Sequence, residues 1–237
     1  MKRALDIFFS LTMLIVLSPL MALISLCIVM GSKGPAIYKS TRIGQNFKKI
    51  KFYKFRSMRQ ASDKELENLR NRNTYIEAYV YPENIHLPAR LNNVYLYSDN
   101  YKVSEYNFLY ETKKELNSCF IKVENDPRIT KLGKVLRKTS LDELPQLINI
   151  LKGDMSFVGN RPLSIEEAEL LTTDAYGKRF ACPAGLTGLW QIQKDKENMT
   201  PDVRRNFDIE YAEKASLMFD IKIILATIIK VVSRTNV

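Results

Sequence analysis

Ile7-Phe-Phe-Ser-Leu-Thr-Met-Leu-Ile-Val-Leu-Ser-Pro-Leu-Met-Ala-Leu-Ile-Ser-Leu-Cys-Ile-Val-Met30 contains no charged residue. At about 1.5 Å per helical residue the stretch is long enough to cross a hydrocarbon core of about 30 Å. Lys2 and Arg3 precede it; Lys33, Lys39, Arg42, Lys48, Lys49, Lys51, Lys54 and Arg56 follow. Three readings compete. A cleaved signal peptide shares the basic start, but the apolar run is too long for one and no small-x-small site follows. The lipoprotein form of the same reading, ending at Cys27, fails on the bulk of Leu26. A simple span leaves one basic flank on the wrong face of the membrane. A re-entrant hairpin keeps both flanks on the cytoplasmic face, and Ser18-Pro19 supplies the break it needs. Proline removes a backbone donor and kinks the helix, while the serine hydroxyl satisfies a freed carbonyl. The expectation is a helix-break-helix membrane anchor over 1–35, joined to a small cytoplasmic domain over 36–237.

The 237 residues allow a substantial core without disulfides. Three cysteines, Cys27, Cys119 and Cys182, lie far apart and form no zinc spacing, which suits a reducing compartment. The single histidine, His86, lies in a polar, tyrosine-rich stretch and reads as a surface residue. A histidine triad or a multi-imidazole metal site is therefore disfavoured. Proton transfer and metal binding fall to carboxylates, lysines and tyrosines, and oxygen ligands favour Mg²⁺. The formal net charge of +10 calls for a polyanionic partner: nucleic acid, anionic lipid or a phosphorylated substrate.

Beyond Met30 the pattern predicts an α+β, mainly helical domain. Gly31 to Pro35 reads as a turn, and Ala36 to Lys54 as two short strands. Asp63 to Arg72 favours a helix. Tyr75 to Tyr110, broken by Pro82 and Pro88, reads as a loop-rich insertion. Ile129, Leu132, Val135 and Leu136 mark one helix face. Leu144, Leu147, Ile148 and Leu151 mark a second helix, opened by Ser140 or Asp142 and stopped by Gly153. Ile165 to Leu171 suggests a third helix, and Pro183 to Gly188 a loop. Asp220 to Val232 reads as an amphipathic helix against the core or the lipid headgroups.

Ser140-Leu-Asp-Glu143 fits a capping box, in which acidity needs no further purpose. With Asp142 as the cap, Pro145 falls in the donor-free first turn. Either way Asp142 lies at a helix start, which is expected to hold it ionised. An ionised aspartate beside a second carboxylate can attack a phosphoryl centre or bind Mg²⁺. Positive charge stands close in sequence: Arg137 and Lys138, Arg161, and Lys54-Phe-Arg56. Arginine forks bind phosphate bidentately, and lysine adds a point charge.

Lys54-Phe-Arg-Ser-Met58, Asp126-Pro-Arg128-Ile-Thr130, Leu136-Arg-Lys-Thr-Ser-Leu-Asp-Glu-Leu-Pro-Gln146, Gly153-Asp-Met-Ser-Phe-Val-Gly-Asn-Arg-Pro162 and Pro183-Ala-Gly-Leu-Thr-Gly188 occur together and in order. In this the chain resembles the bacterial sugar transferases, the monotopic polyprenyl-phosphate phosphoglycosyl transferases. Lys2-Arg-Ala-Leu-Asp6 and Ser18-Pro19 match that family's membrane hairpin. The resemblance implies transfer of a sugar phosphate from a UDP-sugar to undecaprenyl phosphate with release of UMP. That is the first membrane step toward capsule, exopolysaccharide, lipopolysaccharide or glycoprotein glycan. Asp142 matches the nucleophile of a covalent phosphosugar intermediate, and Glu143 its partner, with Mg²⁺ near both. Lys54, Arg56, Arg137 and Arg161 match phosphate- or substrate-binding positions, with Asp126 and Arg128 in the adjoining motif. Asp208, Tyr211 and Asp220 resemble later acidic and aromatic positions. The implied location is the bacterial inner membrane, with the catalytic domain facing the cytoplasm and other glycan-assembly enzymes as further partners. Two departures stand out: Asn160 replaces the family's usual proline, and the stretch from about 64 to 117 is longer than in small members. No counterpart of the large members' extra amino-terminal membrane domain is present, so a small-form enzyme is expected. Two rivals use the same composition: a membrane-anchored nucleic-acid-binding protein, which lacks any nucleic-acid module, and a catalytically silent scaffold, against which Asp142 and Glu143 stand.

Overall fold

The computed structural model describes residues 1–60, 65, 95–98, 101–104, 126–171, 174–193, 199 and 201–234. These fall in two compact units: 1–60, 127–168 and 172–237 make one, and 61–126 with 169–171 the other. The expected insertion lies in the second unit. There Tyr95–Ser98 (β3) and Tyr101–Ser104 (β4) form an antiparallel hairpin, with Lys102 Nζ 3.8 Å from the centroid of the Tyr95 ring. That part of the insertion is therefore strand rather than loop. The expectations for His86, Cys119 and, apart from Glu65, Asp63 to Arg72 lie outside the described residues.

The first unit opens with helix α1, Lys2–Gly31. The sequence predicts two helices meeting at Ser18-Pro19; the structure has one, with Pro19 inside it. The reason is local. Proline at 19 leaves the Ile15 carbonyl without its helical donor, and Ser18 Oγ donates to that carbonyl at 2.8 Å. The predicted serine compensation is present, and the helix continues through the proline.

Asp6, Ser10, Leu14, Leu17, Met21, Ile24 and Ile28 fall at spacings of three and four, so α1 turns one stripe inward along its length. Its other face exposes Phe8, Ile15, Val16, Leu23, Leu26 and Met30. Both ends are tied to the same unit. Lys2 Nζ meets Asp220 Oδ2 at 2.7 Å and donates to the Tyr211 hydroxyl and the Val158 carbonyl. Arg3 donates to the carbonyls of Ile150 and Leu151, and Asp6 accepts from Ser156 Oγ and the Phe157 amide. At the far end Arg56 donates to the carbonyls of Ile28, Ser32 and Lys33.

Ile37–Ile43 (β1) pairs antiparallel with Lys49–Phe55 (β2), as the alternation predicts, with Ile37 opposite Phe55. Ile50, Phe52 and Phe55 of β2 point inward. They pack near Leu136 of α2 (Lys131–Thr139) and Leu147 and Ile150 of α3 (Gln146–Lys152). Thr130 caps α2 through Gly133 N at 2.9 Å, and Gly153 in the left-handed region closes α3. Met155–Val158 (β5) pairs in parallel with Ala184–Thr187 (β6), so the expected Pro183 to Gly188 loop is in fact a strand with tight ends. Two short strands with few alternating positions give little periodic signal.

The helix α4, Ile165–Leu171, is opened by a capping box: Ser164 Oγ accepts from Glu167 N, and Glu167 Oε2 accepts from Ser164 N. Pro201–Lys214 (α5), which the sequence reading missed, carries Asp208 and Tyr211. Leu217–Arg234 (α6) matches the expected amphipathic helix. Ile223 and Asp220 face in, while Met218, Ile221, Leu225, Ile228 and Ile229 stay exposed.

Candidate active site

Ser140, at φ 59°, ends α2 in the left-handed conformation and turns the chain into a 3₁₀ turn over Leu141–Glu143. A serine at positive φ is uncommon and marks a constrained position. The turn presents Asp142 and Glu143 to β2, where Lys54 Nζ lies 2.6 Å from Glu143 Oε1 and 3.6 Å from Asp142 Oδ2. The predicted capping box is not formed. Neither Ser140 nor Asp142 caps α3 with its side chain, because Pro145 precedes that helix and Glu143 is taken by Lys54.

Asp142 is buried, 7% exposed, and pairs with Lys54 at 3.6 Å, an ion pair with some hydrogen-bond character. Its pKa lies above the ordinary carboxylate value: burial raises it most, Lys54 lowers it, Glu143 raises it and Arg137 lowers it. Burial, rather than the helix start, is thus the largest influence on Asp142. The same balance yields a test. A reaction needing ionised Asp142 speeds up as pH rises through that group's pKa. Lys54→Met removes a lowering influence and is expected to move the acid limb of the pH–rate profile to higher pH. Glu143→Gln removes a raising one and is expected to move it to lower pH. Initial rates across pH check the opposed signs.

Further along the same chain, Asn149 is fully enclosed and grips β2: its Oδ1 accepts from Tyr53 N at 3.1 Å and its Nδ2 donates to Lys51 O at 2.6 Å. Gln146, between Asp142 and Asn149, is also buried, and its Nε2 has no partner among the described residues. Such an unmet donor costs about 1–3 kcal/mol.

The other predicted residues divide. Arg137 acts on Asp142 electrostatically and donates from Nε to Ser57 Oγ at 2.9 Å. Arg128 O accepts from Arg59 N and Thr130 N donates to Ser57 O, so the motif around Arg128 braces the loop after β2. Asp126 is buried within the second unit. Arg56 is engaged by the carbonyls at the end of α1 rather than by the carboxylate pair. Arg161 is exposed, and its charge falls on Asp208.

Asp208 pairs with Arg179 at 2.6 Å, both buried; burial pushes the Asp208 carboxyl up to about 6 despite Arg179, Arg204 and Arg161. Asn160 donates to the carbonyls of Arg179 and Asp208, tying this pair to the end of β5 in a way proline cannot. Tyr211 is fully buried and its hydroxyl lies 2.8 Å from Asp220 Oδ1, in the cluster that holds Lys2; burial first, then Asp220, raises its pKa. Asp208, Tyr211 and Asp220 thus hold the fold and the base of α1. The sequence reading missed Gln146, Asn149 and Arg179, and treated Lys2 and Arg3 as membrane flanks only.

Asp142 and Glu143 provide hard oxygen donors. Mg²⁺ commonly takes one or two carboxylates and completes its shell with water and substrate phosphates. No group of three or more His, Cys, Asp or Glu that could hold a metal occurs among the described residues. The pair therefore suits an ion shared with a phosphorylated substrate rather than an all-protein cage.

A family described as bacterial sugar transferase matches residues 1–234. The undecaprenyl-phosphate galactose phosphotransferase of Salmonella typhimurium is 37% identical over 236 residues, covering 100% of this chain and 41% of that protein. The exopolysaccharide production protein ExoY of Rhizobium meliloti is 34% identical over 227 residues, covering 96% of this chain and 83% of that protein. The UDP-glucose:undecaprenyl-phosphate glucose-1-phosphate transferase of Escherichia coli is 32% identical, covering 97% and 40%. The chain thus spans about two-fifths of the Salmonella and Escherichia relatives and most of ExoY.

Proposed function

Because the chain belongs to the bacterial sugar transferase family, we propose that it transfers a sugar phosphate from a UDP-sugar to undecaprenyl phosphate, releasing UMP. The observation that carries the reading is Asp142: a buried carboxylate paired with Lys54 at 3.6 Å and beside Glu143. A carboxylate held by one lysine keeps lone pairs with which to attack phosphorus. In the first step an Asp142 oxygen bonds to the sugar-bearing phosphorus, the bond to the bridging oxygen breaks, and UMP leaves with the electron pair. In the second, an oxygen of undecaprenyl phosphate bonds to the same phosphorus and Asp142 recovers its electron pair. The covalent stage lets two mutually repelling anions react in turn. Lys54 and Arg137 supply positive charge where the donor phosphates arrive. Mg²⁺ held by Asp142 and Glu143 would neutralise developing phosphate charge. Sustained UMP release by membrane fractions is expected only with both undecaprenyl phosphate and Mg²⁺ present. UDP-galactose and UDP-glucose head the donors to be screened, since two relatives carry galactose and glucose in their names. Sustained release without the lipid phosphate overturns the assignment.

The membrane placement proposed is monotopic, with both ends of α1 on the cytoplasmic face of the inner membrane. It is supported by the contacts at Lys2, Arg3 and Arg56, which tie both ends to one folded unit. A spanning α1 would require the polar partners at its two ends, which belong to one folded unit, to lie on opposite sides of a hydrocarbon core about 30 Å thick. The exposed apolar faces of α1 and α6 are the surfaces that lipid would cover. Ala4→Cys and Lys39→Cys, in a background with the native cysteines replaced by serine, are both expected to resist an impermeant maleimide in intact cells and to react after lysis. Labelling of either from outside indicates a span.

A further inference from the structure

Gln146 is 2% exposed and its Nε2 has no hydrogen-bond partner among the described residues. Buried donors are nearly always paired, so an orphan calls for a reason. Four residues earlier Asp142 is a buried acceptor whose partner is Lys54, at 3.6 Å from Oδ2, which leaves it room for a further donor. Three residues later Asn149 is fully used on β2, by Lys51 and Tyr53. Lys54, the next residue of that strand, is the one that approaches Asp142. The stretch from Asp142 to Asn149 therefore looks onto one strand at both its ends, with Gln146 enclosed between them. An unmet donor lies about one helical turn of chain from a carboxylate with acceptor capacity to spare.

We propose that Gln146 is a positioning residue whose amide turns onto the Asp142 oxygen that does not attack phosphorus; the role rests on the covalent route proposed above. As one Asp142 oxygen bonds to phosphorus and UMP leaves with the electrons of the broken bond, the other becomes the carbonyl oxygen of an acyl phosphate. That oxygen loses its charge and with it most of its attraction for Lys54. A neutral amide donor bonds it in either state, which fixes the attacking oxygen and holds the intermediate for the second step. When the acceptor's phosphate oxygen bonds to phosphorus and the phosphorus–Asp142 bond breaks, the carboxylate re-forms with the same bond in place. The competing reading is a filler side chain, which an apolar isostere replaces without loss.

The test uses the full chain in detergent micelles, with UDP-galactose and UDP-glucose as donors, in rapid-quench experiments without undecaprenyl phosphate. A burst of UMP then reports the first step: its amplitude counts competent molecules, and its rate constant reads the chemistry independently of how much protein folded. Gln146→Met, which keeps the shape and loses the donor, is expected to slow the burst about 10- to 100-fold, the worth of one hydrogen bond to a charged group. The donor KM is expected to stay within about threefold, as for an interaction made after binding. Gln146→Glu, which puts an acceptor against an acceptor, is expected to be slower still. A Gln146→Met burst at the wild-type rate, even with reduced amplitude, overturns the role and leaves the covalent route standing. Sustained wild-type turnover with no burst overturns the covalent route and this role together.

Discussion

Asp142→Asn is expected to reduce UMP release by at least about 10⁴-fold, as removal of a nucleophile does in enzymes that proceed through a covalent intermediate. The substitution keeps the shape and replaces an attacking oxygen by an amide, so neither the burst nor sustained turnover survives. Stability is expected to move the other way. Burial raises the Asp142 pKa, so the protonated carboxyl suits its site better than the ionised one. The sign follows from linkage: a raised pKa means stability that is present below the ordinary carboxylate value and lost as pH rises through the folded value. A neutral asparagine does not titrate and keeps that stability at neutral pH. Thermal unfolding at pH 7.5 is therefore expected to give Asp142→Asn a midpoint no lower than wild type, together with no turnover. Loss of both midpoint and activity instead assigns Asp142 a supporting role. Glu143→Gln separates the two carboxylates. It leaves the attacking atom in place, so reduced rather than abolished release is expected.

The long apolar helix, the β1–β2 pair and the helix after Pro145 were legible because each has a period or a punctuating residue: an uncharged run, alternation, and Gly153 at the end of α3. The carboxylate pair was legible from its motif. Its physical state was not. The sequence reading placed Asp142 at a helix start, whereas burial is the largest influence on its pKa and Lys54, on β2 far back in the chain, is the next. The same holds for Arg56. Its motif predicts phosphate binding, but three carbonyls at the end of α1 occupy the guanidinium. Lys2 and Arg3 look like membrane flanks, yet their partners are Asp220 and the last carbonyls of α3. Pairings across such sequence separations carry no local pattern, so only the folded chain discloses them.

The glycines of the two latest motifs carry the other large effect. Gly153 is needed for its backbone, at φ 88° after α3, but Gly159 is not in the left-handed region and is needed for room. A Cβ on Gly159 would stand 2.1 Å from Pro183 O, 2.8 Å from Gly185 N and 3.0 Å from Ala184 C. Gly185 and Gly188 return the restriction, with Cβ positions 2.1 Å from Gly159 N and 2.3 Å from Gly159 O. All these neighbours are backbone at the end of the β5–β6 pair, so no side chain can swing away. Gly159→Ala must part the strands, a strain at or above the usual overpacking range, about 3 kcal/mol or more. That is a large share of the roughly 5–15 kcal/mol that holds a domain folded. For a chain of this size it lowers the midpoint by roughly 6–12 °C. Gly177→Ala is the control, because nothing lies within 4 Å of its Cβ and its φ is ordinary. Its stability is expected to stay within about 0.5 kcal/mol of wild type. Equal midpoints for the two variants would return the Gly159 motif to a flexible phosphate loop. A collapse confined to Gly159→Ala makes it the point where two strands cross too closely for any other residue, two positions before Arg161.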